Sequence, residues 1–144
     1  MASAGVFAFI YAAAYVDLVL RARSAYYEGE KYLQWDREPS LKAAYYDAWL
    51  SEKQKGFKSD FEAGKLAKEE LDQRLELARF ERDQRVAESS LKYAYVWFQS
   101  AVELFSPPES KWVALSRIKM AQAKALWKAE LDAKKIPYKD YMLE

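Results

Sequence analysis

Two residue types are missing altogether: the chain has no histidine and no cysteine in 144 residues. Their absence removes imidazole and thiolate metal ligands, cysteine nucleophiles, disulfide bonds and the usual general base near neutral pH. A reaction would have to run on carboxylates, Lys, Tyr or Ser, and neither a glycine-rich phosphate loop nor a nucleophile elbow occurs. Without cysteine the chain also carries no mark of a redox compartment. Glycine and proline number only four each, so few residues are available for turns. Net charge is scarce as well, at +1, and so small an excess draws the protein to neither nucleic acid nor an anionic membrane.

What remains is apolar and helical in character. Hydrophobic residues make up 51% and charged residues 31% of the chain. At this length one domain is expected, with long helices and few joints. A first helix is predicted from about 5 to 35, with a stripe of Ala8, Tyr11, Tyr15, Leu18, Ala22, Ala25, Gly29 and Tyr32 in alternating steps of three and four. Pro39 ends it, and Ser40 is placed to cap a second helix that starts at Leu41, meets a weak point at Gly56 and closes at Gly64 in the left-handed position. A third helix is predicted over 68–105, with Leu77, Phe80, Ala87, Leu91, Ala94, Phe98, Ala101 and Phe105 as its stripe. Ser106-Pro107-Pro108-Glu109 reads as a capping box. It opens a fourth helix, predicted over 107–133, with Ala114, Ile118, Ala121, Ala125 and Ala129 on a narrow face and Trp112, Leu115, Leu126 and Trp127 beside it.

No charged side chain occurs from Met1 to Val16, and Leu18 to Leu20 extend the apolar run past Asp17. The run is shorter than the roughly 18 to 20 residues of a membrane span. A mostly buried helix is expected, with the stub of an export signal or membrane anchor as the alternative. Met1-Ala2-Ser3 and Leu143-Glu144 resemble residues that common restriction sites leave, which would make the natural protein longer at its amino end. Localisation is then exported or membrane-anchored, and otherwise cytoplasmic. Asp17, the one acid inside the run, is predicted to pair with Arg21 one turn on.

The aromatic residues are unevenly placed. All 5 Trp and all 11 Tyr lie outside residues 52–88, and just over half of that segment is charged. Such a segment cannot sit inside a bundle. The predicted fold is therefore all-α: four long helices form an aromatic-rich bundle, 4–51 and 89–135, with a protruding antiparallel two-helix, coiled-coil-like arm over 52–88 and a short segment over 136–144. The arm is expected to pair along Phe57, Phe61, Leu66, Leu71, Leu75 and Ala78, supported by Glu70–Arg74 and Glu81–Arg85. One thin seam leaves it marginal alone, so a partner or a second copy of the chain is expected to complete it.

Residues Phe61 to Leu71 align without gaps on Leu131 to Tyr141: helix end, basic residue, aliphatic residue, then an acidic helix start. The first copy resembles the short helical hairpin called the SHOCT domain, with Ala67 where that family carries a Thr cap. Ala94, Phe98 and Ala101, followed by Trp112 and Leu115, are similar to tetratricopeptide-type helices, although no period of about 34 residues persists. Both resemblances imply a binding scaffold without catalytic residues.

The expected function is thus a non-catalytic scaffold or adaptor for another protein or for self-assembly, with Phe57, Phe61, Leu66, Leu71, Leu75 and Phe80 as candidate interaction residues. The alternative is a carrier holding a small molecule or peptide among Tyr11, Tyr15, Asp17, Trp35, Trp49 and Trp97. No cofactor, metal or catalytic group is expected. Carboxylate pairs such as Glu69–Glu70 and Glu81–Asp83 read as a solvated face, since acid–base work needs a pocket that shifts pKa values. Arg117, Lys124, Lys128 and Lys135 recur on one side of the last helix, a stripe read first as soluble surface and second as a polyanion contact.

Overall fold

The structure is a computed structural model that describes residues 2–143, with side chains from Val6 onward. Those residues are all-α: α1 (Ala2–Arg37), α2 (Pro39–Glu62), α3 (Lys68–Ala87), α4 (Ser90–Glu103) and α5 (Lys111–Ala133) precede a 3-10 turn at Asp140–Leu143. The expected class holds. Five helices replace four because the predicted third helix breaks at Glu88, whose ψ of 146° leaves the helical region. Ser89 then caps α4 by accepting from the Lys92 amide at 3.2 Å. Local cap chemistry overrides a hydrophobic stripe that runs straight through this point.

The other joints follow from single residues. Pro39 is the first residue of α2 and Ser40 sits inside its opening turn without capping it, while α2 runs unbroken through Gly56. At the end of α2, Gly64 takes a φ of +72°. Its amide donates to Phe61 O and the Lys65 amide to Asp60 O, both at 2.9 Å, the paired bonds of a Schellman turn. The same turn closes α5: the Lys135 amide donates to Asp132 O and the Ile136 amide to Leu131 O, both at 3.0 Å. Here Lys135, not glycine, adopts the positive φ of 54°. The two copies of the turn therefore match with Gly64 on Lys135, one residue off the ungapped alignment. Before α5, Pro107 and Pro108 stay in the loop. The cap is Ser110, accepting from the Val113 amide at 3.3 Å, not Ser106, whose hydroxyl instead donates to Glu109 at 3.4 Å.

The chain divides into two compact units, one built from the residues up to Asp36 and from Ser89 onward, the other from Arg37–Glu88. In the first, α1, α4 and α5 meet through rings. Tyr26 lies 5.9 Å from Phe98 and 5.5 Å from Trp112, Tyr32 stacks on Tyr93 at 5.3 Å, and Tyr95 lies 5.9 Å from Trp127. Phe98 is fully buried, and a Cβ added at Gly29 would stand 2.5 Å from its ring. Gly29 is thus what lets α1 approach α4. Leu143 from the terminal turn joins Leu33, Leu91 and Trp127 in this core. On α5 the buried face is Val113, Ser116, Ala123 and Trp127, while Ala114, Ile118, Ala121, Ala125 and Ala129 are exposed. The alanine stripe expected to pack is the outer one, because both faces are apolar and periodicity alone does not choose between them.

The second unit is the antiparallel pairing of α2 and α3, closed at Gly64. It takes in all of α2, so Tyr45, Tyr46 and Trp49 belong to this hairpin, where the sequence placed residues up to 51 with the aromatic bundle.

Candidate interaction surfaces

In the hairpin, the α3 seam follows Leu71, Leu75 and Ala78, spaced by four and three so that they share a face. Leu71 and Ala78 are buried, and Leu75, Phe57 and Leu66 are half-buried. The next seam position is Arg82, which reaches back to Asp47 on α2 at 2.6 Å and also holds Asp83 at 2.9 Å. Donating hydrogen bonds to the Asp83 and Asp47 carboxylates raises its pKa above the ordinary guanidinium value. At the same end Lys42 is buried and its ammonium donates to the carbonyl oxygen of Glu88, the residue that ends α3. An ammonium there meets the negative end of the helix dipole.

Two of the six candidate interaction residues lie outside that seam. Phe61 is exposed near the turn, and Phe80 is exposed on the outer side of α3 beside Leu77. The cause is angular: Phe80 follows Ala78 by two residues, about 200° around a helix of 3.6 residues per turn. Its ring therefore points opposite to the seam. Leu77 and Phe80, with Gln73 and Glu76, line a shallow depression.

The acids singled out in the sequence sit on solvated surface, Glu70 with Arg74 at 2.7 Å and Glu81 with Arg85 at 3.5 Å. Among the described residues no cluster of three or more acids could hold a metal ion.

The six candidate pocket residues do not gather in one cavity. Tyr11 and Tyr15 line an apolar cleft of about 190 Å³ with Ala14, Leu18, Pro107 and Pro108. Asp17 and Trp97 border a separate open recess with Arg21 and Phe105. Trp35 is buried, its ring edge-on to Tyr32 at 4.9 Å, and Trp49 belongs to the hairpin, where the Lys53 ammonium lies 5.8 Å from its ring. Asp17 does pair with Arg21, at 2.7 Å, but in the open. That bond raises the Arg21 pKa.

The expectation of a mostly buried amino-terminal helix fails in the described part of that run. Every side chain from Val6 to Asp17 is exposed. Burial requires a neighbour on each side, and α1 outruns its neighbours here. The basic stripe of α5 is largely occupied by its own chain: Arg117 pairs with Glu109 at 2.9 Å, Lys128 with Asp140 at 2.6 Å, and Lys124 lies 5.7 Å from the Tyr95 ring. Lys135 serves the turn that ends the helix.

The chain matches no family model, no curated protein and no solved structure. The likenesses to SHOCT hairpins and to tetratricopeptide helices accordingly rest on the residue pattern alone.

Proposed function

We propose that this chain is a non-catalytic helical adaptor whose α2–α3 hairpin docks another protein. The observation that carries this reading is the pair Leu77 and Phe80, neighbours on adjacent turns of α3 that are 65% and 60% exposed. Single exposed apolar side chains are ordinary. Two together on a charged helix, flanking a depression, form a ridge for a partner's apolar side chains. The seam of the hairpin closes without them, so binding can use them at no cost to the fold.

A photo-crosslinking residue at Leu77 in the native cell tests the reading. It is expected to link one partner protein, and Phe80→Asp is expected to abolish the link while leaving thermal stability unchanged. Self-links alone would assign the ridge to a second copy of this chain. No link of either kind, or a Phe80→Asp protein that unfolds, would contradict docking at this ridge.

Carriage of a small ligand is the weaker reading, since its candidate residues are divided between the Tyr11–Tyr15 cleft of about 190 Å³ and the open Asp17–Trp97 recess of about 350 Å³, and Trp35 and Trp49 line neither.

A further inference from the structure

The longest apolar surface left uncovered is the amino-terminal half of α1. Phe7, Phe9 and Tyr11 are 73%, 74% and 76% exposed, and the first charged side chain is Asp17. The distribution around the axis matters more than the amount. At about 100° per residue, Val6, Phe7, Phe9, Ile10, Tyr15 and Val16 leave no sector wider than about 100° without a large apolar side chain. Ala8 and Ala12 fall in the widest gap.

That distribution selects the occupant. A protein surface, or a second copy packed alongside, covers one side of a helix and leaves the other in water. Helices apolar on every side belong in a protein core or in lipid. Pro107 and Pro108 line a cleft with the segment on its Tyr11–Tyr15–Leu18 side, and every described side chain from Val6 to Asp17 is exposed. We propose that residues 6–16 of α1 are embedded among the acyl chains of a lipid bilayer.

The boundary of the embedded part is written in the neighbouring residues. Asp17 and Arg21 neutralise each other just past the apolar stretch. One turn further, Arg23 lies 5.7 Å and Lys111 4.6 Å from the Trp112 ring, with Tyr27 against the same ring at 5.3 Å. Indole and phenol rings beside cations are the groups favoured where hydrocarbon meets water. From Val6 to Val16 the helix rises about 15 Å, roughly one leaflet of a hydrocarbon core about 30 Å thick. Among the described residues no helix is long and apolar enough to cross a membrane, and embedding to this depth does not need one. Because apolar area drives it, anionic headgroups are not required, in keeping with a net charge of +1.

The absence of cysteine makes the test clean. Full-length Ile10→Cys and Lys58→Cys proteins, each labelled with a polarity-sensitive fluorophore, are mixed with vesicles of neutral phosphatidylcholine. The label at position 10 is expected to shift to the blue and to be shielded from an aqueous quencher at low and high salt alike; the label at 58 stays aqueous. Phe9→Asp and Val16→Asp are each expected to weaken vesicle partitioning roughly 100-fold, with circular dichroism unchanged because both side chains are exposed. A position-10 label that stays aqueous with vesicles overturns the proposal. So does one already shielded in a lipid-free dimer, which would assign the helix to a second copy. Binding confined to anionic vesicles and lost in salt also overturns it, as adsorption by charge.

Discussion

The two units hold themselves together by different means. In the unit of α1, α4 and α5, ring packs on ring, and the closest approach depends on Gly29 leaving room for Phe98. The α2–α3 hairpin has a seam of Phe57, Leu66, Leu71, Leu75 and Ala78, finished at one end by charge, with Lys42 on the carbonyl of Glu88, the residue just past α3, and Arg82 on Asp47. Shape decides the first unit and polar closure the second. Thin apolar seams leave side chains over, and Leu77 and Phe80 are the ones this hairpin leaves outside.

The contrast can be broken at its polar end by Lys42→Met, which keeps the stem and removes the ammonium. A hydrogen bond from a charged donor contributes about 1.5–3 kcal/mol, so the hairpin is expected to lose that much, read as faster amide exchange in α2 and α3.

In the aromatic unit the matching change is Gly29→Ala. Alanine in place of glycine gains up to about 1 kcal/mol of helix propensity, while overpacking against a ring that cannot move costs about 1–3 kcal/mol. Overpacking wins because Phe98 is enclosed on all sides. A net loss of about 1–2 kcal/mol is expected, seen as a lower midpoint in urea with the slope unchanged.

A smaller effect of opposite sign is expected from Lys135→Gly. The left-handed position costs a side-chain-bearing residue about 1 kcal/mol, so glycine should stabilise the end of α5 by that order, in thermal unfolding. Gly64→Ala should do the reverse in the hairpin.

The smallest effect is a pH dependence at the terminal turn. The Lys128 ammonium, through its hydrogen bond and its charge, lowers the Asp140 pKa below its ordinary 3.8. A lowered carboxylate pKa stabilises the folded state fully above the unfolded value and loses that contribution as pH falls through the folded one. Leu143 should therefore loosen from the core only below about pH 3.8, and Asp140→Asn should flatten that response in tyrosine fluorescence or exchange.

Much of this was legible where one residue type has one physical use. Gly64 and Pro39 mark their joints because the backbone there admits little else, and the stripe Ala22–Ala25–Gly29 marks the close face of α1. The unreadable parts are those where two answers have equal chemistry. The stripe Leu77–Phe80–Ala87–Leu91 implies one long helix, and only the cap at Ser89 breaks it; within α3 the chain packs the Leu71–Leu75–Ala78 face instead, which leaves Leu77 and Phe80 outside. On α5 the chosen face contains Ser116, and the rejected one is richer in alanine. For α1, a run apolar on all sides specifies burial without specifying in what.

Native-state hydrogen exchange on the full chain tests the central contrast most directly. Amides of α4 and α5 in the ring-packed unit should exchange slowest, and those of α2 and α3 should open several powers of ten more readily, with Lys42→Met widening the gap. Equal protection in both sets, or a hairpin slower than α4, would contradict the distinction between a ring-locked unit and a thin seam closed by charge.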